Sequence, residues 1–351
     1  ARPHLERADQ LHQAHSGGAD ELRLKILETT ANTLNDLGQV EDAERIRREL
    51  IAANEQLHGA DAEPTLIAIN NLATSHIAHG RFEEASALFQ EAAGRRQRTL
   101  GADHPKTLVT QANLANSYMK LGKLDEAMAL LRQALPLARD AGDPESLSHI
   151  LTNLCEASSA QNDLEAAEQY VTEAIDLRTE LYGPDHPKTL GVVGYLGILA
   201  SRQEKWQQAY DHLSRVYEAT RQRMGPTGVQ TVSSKLNLSS AIVYLGRLDE
   251  AEQLLETDLD AAIEALGHDN IWIRRTFEMI AWLGEAYAEA SRETDALRVR
   301  TRALAHRLAL ADSDSPQASD LHAAAITLSE SPHETLRDQQ RAQKYALSLI
   351  H

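Results

Sequence analysis

Seven times along this 351-residue chain a turn-forming residue is followed, five positions later, by alanine. The pairs are Gly38/Ala43, Gly80/Ala85, Gly122/Ala127, Asn162/Ala167, Glu204/Ala209, Gly246/Ala251 and Ser291/Ala296. Successive turns lie 42, 42, 40, 42, 42 and 45 residues apart. Such regularity marks a repeat array, in which each unit buries its apolar face only by stacking on its neighbours. A chain of this length would otherwise suggest two or three globular domains, whereas a stacked array grows as one continuous body.

The unit spanning residues 103–142 places Leu108, Ala112, Leu114, Ala115, Tyr118 and Leu121 before the turn at Gly122. Leu124, Ala127, Leu130, Leu131, Ala134 and Leu135 follow it. Both sets have the spacing of one helix face, and the short turn forces the two helices to pack antiparallel. Each helix is expected to run about 17 residues, or roughly 25 Å. A second series of breaks, at Gly59, Gly101, Gly142, Gly183, Gly225 and Gly267, separates the hairpins. In Gly101-Ala102-Asp103-His104-Pro105 and Gly183-Pro184-Asp185-His186-Pro187 the glycine suits a left-handed helix end, Asp or His an N-cap and Pro a first helical turn. Helix-start chemistry thus accounts for His104 and His186 without a catalytic role. Seven residues before each turn stand Ala31, Ala73, Ala115, Cys155, Gly197, Ser239 and Gly284, all small, so that the two helices of a hairpin approach closely. Cys155 therefore reads as a core residue.

The small-residue column, the turn glycine and the following alanine resemble the tetratricopeptide repeat. The 42-residue period and phrases such as Gly101-Ala102-Asp103-His104-Pro105-Lys106-Thr107-Leu108 and Leu121-Gly122-Lys123-Leu124-Asp125-Glu126-Ala127 resemble its long-helix variant, that of kinesin light chains. The resemblance implies an all-α, right-handed solenoid of antiparallel hairpins. Residues 1–19 read as a capping helix or the remnant of a preceding repeat, 20–310 as seven repeats and 311–351 as a terminal hairpin. Residues 331–342 resemble the last hairpin of repeat regions that follow the kinase domain of bacterial serine/threonine kinases. That likeness, with the missing initial Met, raises the expectation of a regulatory or substrate-recruiting part of such a kinase.

The formal charge of −17 repels polyphosphate and anionic membranes, so neither nucleic acid nor membrane is expected as partner. No apolar run has membrane-spanning length. One cysteine excludes an internal disulfide and fits a reducing, cytoplasmic setting. No kinase signature is present, neither His-Arg-Asp nor Asp-Phe-Gly nor a glycine-rich phosphate loop, so no catalytic residue is assigned and the segment reads as no enzyme. His12 with His15 and His76 with His79 lack the further ligands of a zinc site and read as exposed helical histidines. No metal or cofactor is expected. The runs Arg45-Ile46-Arg47-Arg48, Arg95-Arg96-Gln97-Arg98 and Arg298-Val299-Arg300 read as solvated faces. Gly191 and Gly194 each cost a helix roughly 1 kcal/mol relative to Ala. They mark space for a ligand or a neighbouring backbone, and with it a small-molecule or signal-peptide sensor as a further alternative.

Nine residues before the turn runs a column of amides: Asn71, Asn113, Asn153 and Asn237, interrupted by Tyr195, with Asn116 one helical turn beyond Asn113. In proteins of the resembled family, first helices line a concave groove whose asparagines bind the backbone of an extended peptide. The amide offers both a donor and an acceptor to a peptide unit. Asn71, Asn113, Asn116, Asn153, Tyr195 and Asn237 are thus the candidate peptide-binding residues, with Met119 and Trp282 as apolar contacts. A ladder between neighbouring first helices would demand the same repetition. The leading expectation is a non-catalytic scaffold for a protein or extended peptide.

Overall fold

The structure, a computed structural model, describes residues 19–36 and 39–312 together with Asp338, Arg341 and Lys344. Two compact units divide the chain, Ala1–Gly183 and Pro184–His351. The first contains the hairpins α1 (Ala19–Asp36) with α2 (Val40–His58), α3 (Glu63–Ala78) with α4 (Phe82–Leu100), α5 (Pro105–Lys120) with α6 (Leu124–Ala141), and α7 (Pro144–Ala160) with α8 (Leu164–Tyr182). The second contains α9 (Pro187–Arg202) with α10 (Trp206–Met224), α11 (Val229–Tyr244) with α12 (Leu248–Glu256) and α13 (Leu259–Leu266), and α14 (Ile271–Glu289) with α15 (Glu293–Ala311). Each is a solenoid-like stack of helices, and the described residues contain no strand. The expected capping helix at 1–19 and terminal hairpin at 311–351 fall almost wholly outside the described residues.

The hairpin turn follows from backbone geometry. Gly80, Gly122 and Gly246 take φ of 73–74°, and Asn162, Glu204 and Ser291 take the same left-handed conformation at 59–64°. The residue after each then donates its amide to the carbonyl five positions back, as in Lys123 to Tyr118 and Lys205 to Ala200, both at 2.9 Å. This is the Schellman closure, which satisfies the last carbonyls of the first helix and starts the second helix at once. The breaks between hairpins differ from expectation. Only Gly142 is left-handed, with φ 66° and ψ 19°, whereas Gly101 has φ 106° and ψ 161°, an extended region open essentially to glycine alone. His104 and His186 cap α5 and α9, each accepting from the amide two residues on at 3.2 Å.

Every alanine after a turn is buried, as are Ala31, Ala73, Ala115, Cys155, Gly197, Ser239 and Gly284. Burial pushes the Cys155 thiol up to about 12, which makes it an inert packing group. A Cβ on Gly197 would lie 2.7 Å from Leu213 Cγ, itself buried in α10, whereas Gly191 and Gly194 face open space. Gly197→Ala is therefore expected to destabilise by about 1–3 kcal/mol through overpacking, despite alanine's helix propensity. Gly191→Ala should stabilise by up to about 1 kcal/mol. Urea midpoints of the two variants check the opposite signs.

One second helix does not run through. At Thr257 and Asp258, the latter with φ 61°, the chain breaks between α12 and α13. Eleven residues before the turn the repeats carry Leu27, Ile69, Gln111, Leu151, Val193 and Ile280, but Lys235 in α11. Lys235 is 3% exposed and donates Nζ to the Thr257 carbonyl at 2.5 Å. The break thus supplies the acceptor that a buried ammonium needs. Burial still lowers the Lys235 pKa to about 8, against the opposing charge of Asp258.

Candidate functional site

The first-helix stripe nine residues before the turn is where an extended partner was expected to lie. In the first unit, Asn71, Asn113 and Asn153 are half-buried. Asn153 donates Nδ2 to the Ala112 carbonyl of α5 at 2.6 Å, joining successive first helices. Asn116 is half-buried, and its Oδ1, like that of Asn70, has no hydrogen-bond partner. Such an orphan acceptor costs about 1–3 kcal/mol. Met119 is half-buried and packs against the core around α5, α6 and α7.

In the second unit the stripe changes character. Tyr195 is half-buried in α9, and Asn237 is exposed in α11. At the equivalent position of α14 stands Trp282 rather than an amide. Tyr244, two helical turns beyond Asn237 on the same helix face, is 55% exposed. Its ring stacks on Trp206 of α10 at 3.9 Å with 6° between planes, and meets Trp282 at 5.3 Å and 49°. Three aromatic side chains from three hairpins thus form one continuous ladder beside Asn237. Sequence reasoning named Trp282 alone, because Trp206, Tyr244 and Trp282 occupy three different repeat positions and fall in no single column.

Other candidates resolve into structural roles. His76 is 3% exposed, not on the surface as expected, because its column otherwise carries core residues such as Leu34 and Ile242. Its Nε2 lies 3.9 Å from Glu44, and burial lowers its pKa. His79 bonds the Ser75 carbonyl at 2.7 Å. His12 and His15 lie outside the described residues. Arg45, Arg48 and Arg95 pair with nearby carboxylates at the surface. Arg96 contradicts the reading of a solvated face. It is 5% exposed and reaches Thr110 Oγ1 at 2.6 Å and Glu63 at 3.0 Å, so its charge is neutralised inside a seam between hairpins. Among the described residues no cluster of three or more His, Cys, Asp or Glu side chains could hold a metal. None of the described helices is long and apolar enough to cross a membrane.

Tetratricopeptide repeat profiles match residues 22–97, 68–140 and 146–222, and a further one matches 231–271. These spans cover well over half of the sequence, and the chain belongs to the tetratricopeptide repeat family. Its fold is similar to that of BtubC (BKLC) from P. vanneervenii, with 20% identity and a TM-score of 0.55 over 67% of this chain and 94% of that one. Kinesin-light-chain-like repeats are represented by a putative kinesin light chain of Podosopora anserina. It is 22% identical over 57% of this chain and 96% of that one, with a TM-score of 0.47. A curated relative, a clustered mitochondria protein homolog of Ajellomyces capsulatus, is 26% identical over 105 residues, 30% of this chain and 8% of that protein. The match thus spans only a small part of that relative's length.

Proposed function

We propose that this chain is a non-catalytic scaffold that binds an extended peptide or protein segment on the exposed faces of its first helices. The observation that carries the reading is the ladder of Trp206, Tyr244 and Trp282 beside the exposed Asn237. An exposed tyrosine ring set between two half-buried tryptophans, on the helix face that carries an exposed amide, has the composition of a binding hot spot, with rings to take side chains and the amide to take backbone. Asn71, Asn113, Asn116, Asn153 and Tyr195 serve the same purpose in this reading, Asn153 through its oxygen while its nitrogen holds Ala112. The link to a kinase rests on residues 331–342, of which only Asp338 and Arg341 are described.

Selection of peptides from a random display library on the whole chain tests this. Extended sequences are expected to enrich, and Asn237→Ala should weaken a selected peptide about tenfold, the loss of one to two backbone hydrogen bonds. Asn153→Ala should in addition lower the melting midpoint. A library that yields no peptide dependent on any of these side chains would sink the proposal.

A further inference from the structure

A cleft of about 840 Å³ opens in the second unit, lined by Pro187, Leu190, Gly191, Thr220, Met224 and Gln230 among others. Comparison with the second hairpin explains its origin. Sixteen residues after the turn that hairpin carries Arg96, whose guanidinium fills the seam to α5. It donates to Thr110 Oγ1 at 2.6 Å, to the Lys106 carbonyl at 3.3 Å and to Glu63 at 3.0 Å. In the fifth hairpin the same position is Thr220. Ser234 stands where Thr110 stands, and Gln230 where Lys106 stands. The side chain that fills this space is thus replaced by a short hydroxyl, while two of its three binding partners keep their places. Gly191 widens the space further, since nothing lies within 4 Å of where its Cβ would be.

The third partner is lost from its own position. Glu63 is replaced by Pro187, but Glu218 of α10 lines the cleft and carries the carboxylate. Of the two arginines in the lining, Arg215 is held by Asp185 and by the Pro184 carbonyl, both at 2.7 Å. Arg223 is the remaining cation, so Glu218 and Arg223 leave the cleft near neutral. The Thr220 hydroxyl bonds Ser234 at 2.8 Å and the Tyr217 carbonyl at 2.9 Å. An incoming guanidinium that reached the buried Ser234 oxygen would replace the first of these bonds, leaving Thr220 its bond to Tyr217 and Ser234 its own to the Thr231 carbonyl at 3.0 Å. Leu190, Val216 and Met224 supply apolar walls for an alkyl stem.

We propose that this cleft receives the arginine side chain of a partner peptide, which takes the place that Arg96 occupies in the second hairpin. The site is separate from the aromatic ladder, so either proposal can fail alone. Titration of the whole chain with N-acetyl-arginine-N-methylamide, followed at the backbone amides of Gly191, Thr220 and Gln230 by NMR, tests it. Saturable shifts are expected at about millimolar concentration, as for a single side-chain fragment. The neutral citrulline analogue should bind about tenfold more weakly, since charge-assisted pairing is lost. Thr220→Arg, which supplies the guanidinium from within, should abolish the shifts. Glu218→Gln, a surface change that leaves packing intact, should weaken them severalfold. Three results would each overturn the proposal: no saturable shift at these amides, equal binding of the citrulline analogue, or undiminished binding to both variants. Tighter binding of free L-arginine than of the blocked compound, by tenfold or more, would overturn its peptide form.

Discussion

Replacing Tyr287 by Ala is expected to lower the unfolding free energy by about 3–5 kcal/mol, the range for deleting a buried aromatic ring. Tyr287 is fully buried in α14, four residues before its turn. Its hydroxyl donates to Asp249 at 3.1 Å and Glu252 at 2.8 Å, both on α12. Arg292 then clasps Asp249 through two nitrogens at 2.8 and 3.0 Å and lies over the Tyr287 ring, and Arg298 pairs with Glu252. One side chain therefore ties three helices through packing, hydroxyl and charge together. Burial and the Asp249 carboxylate push its phenol up to about 12, so it stays a donor throughout the neutral range. Tyr287→Phe keeps the ring and removes only the donor. A loss of about 1.5–3 kcal/mol is expected, because the acceptors are charged. Urea unfolding of the two variants separates ring from hydroxyl. Equal losses would show that the ring contributes nothing beyond the hydrogen bonds.

Acid should destabilise the protein well above the range where carboxylates titrate. His306 of α15 is 5% exposed, stacked on Phe277 at 3.8 Å and 3.3 Å from His268 between Nδ1 atoms. Burial first, then His268, Arg274, Arg302 and Arg307, lower its pKa from 6.5 to about 4. The folded pKa lies below the unfolded one, so between these values the unfolded chain binds more protons. Stability is then full above pH 6.5 and is lost as pH falls toward 4, by up to about 3 kcal/mol. His76, shifted in the same direction by burial, adds to the effect. Glu44, whose pKa is lowered with hydrogen bonds from Arg48 and Arg81, acts only at lower pH. His306→Phe, which keeps the ring stack, should flatten the pH dependence of the melting midpoint between 4 and 6.5. An unchanged slope would rule out this histidine as its source.

The hairpins were legible because close approach of two helices admits only small side chains, and Ala115 facing Ala127 repeats that constraint in every unit. Turn geometry was legible for the same reason, although Glu204 and Ser291 hold a left-handed backbone without glycine. The split of the sixth second helix was not, since it depends on Lys235 finding the Thr257 carbonyl across the hairpin. Nor was the cleft at Thr220, because an absent arginine signifies something only once the contacts of Arg96 are known. A ruler laid along one column found Asn237, but the aromatic ladder crosses columns and needed the packing of α10, α11 and α14 to assemble it.

The affinity of a library-selected peptide for the Tyr244→Ala/Trp282→Ala double variant, measured by calorimetry beside the parent chain, tests the central claim most directly. With helicity retained, dissociation is expected to be at least about thirtyfold stronger in the variant, the loss of a hot spot worth 2 kcal/mol or more. An unchanged dissociation constant for every selected peptide would contradict the account.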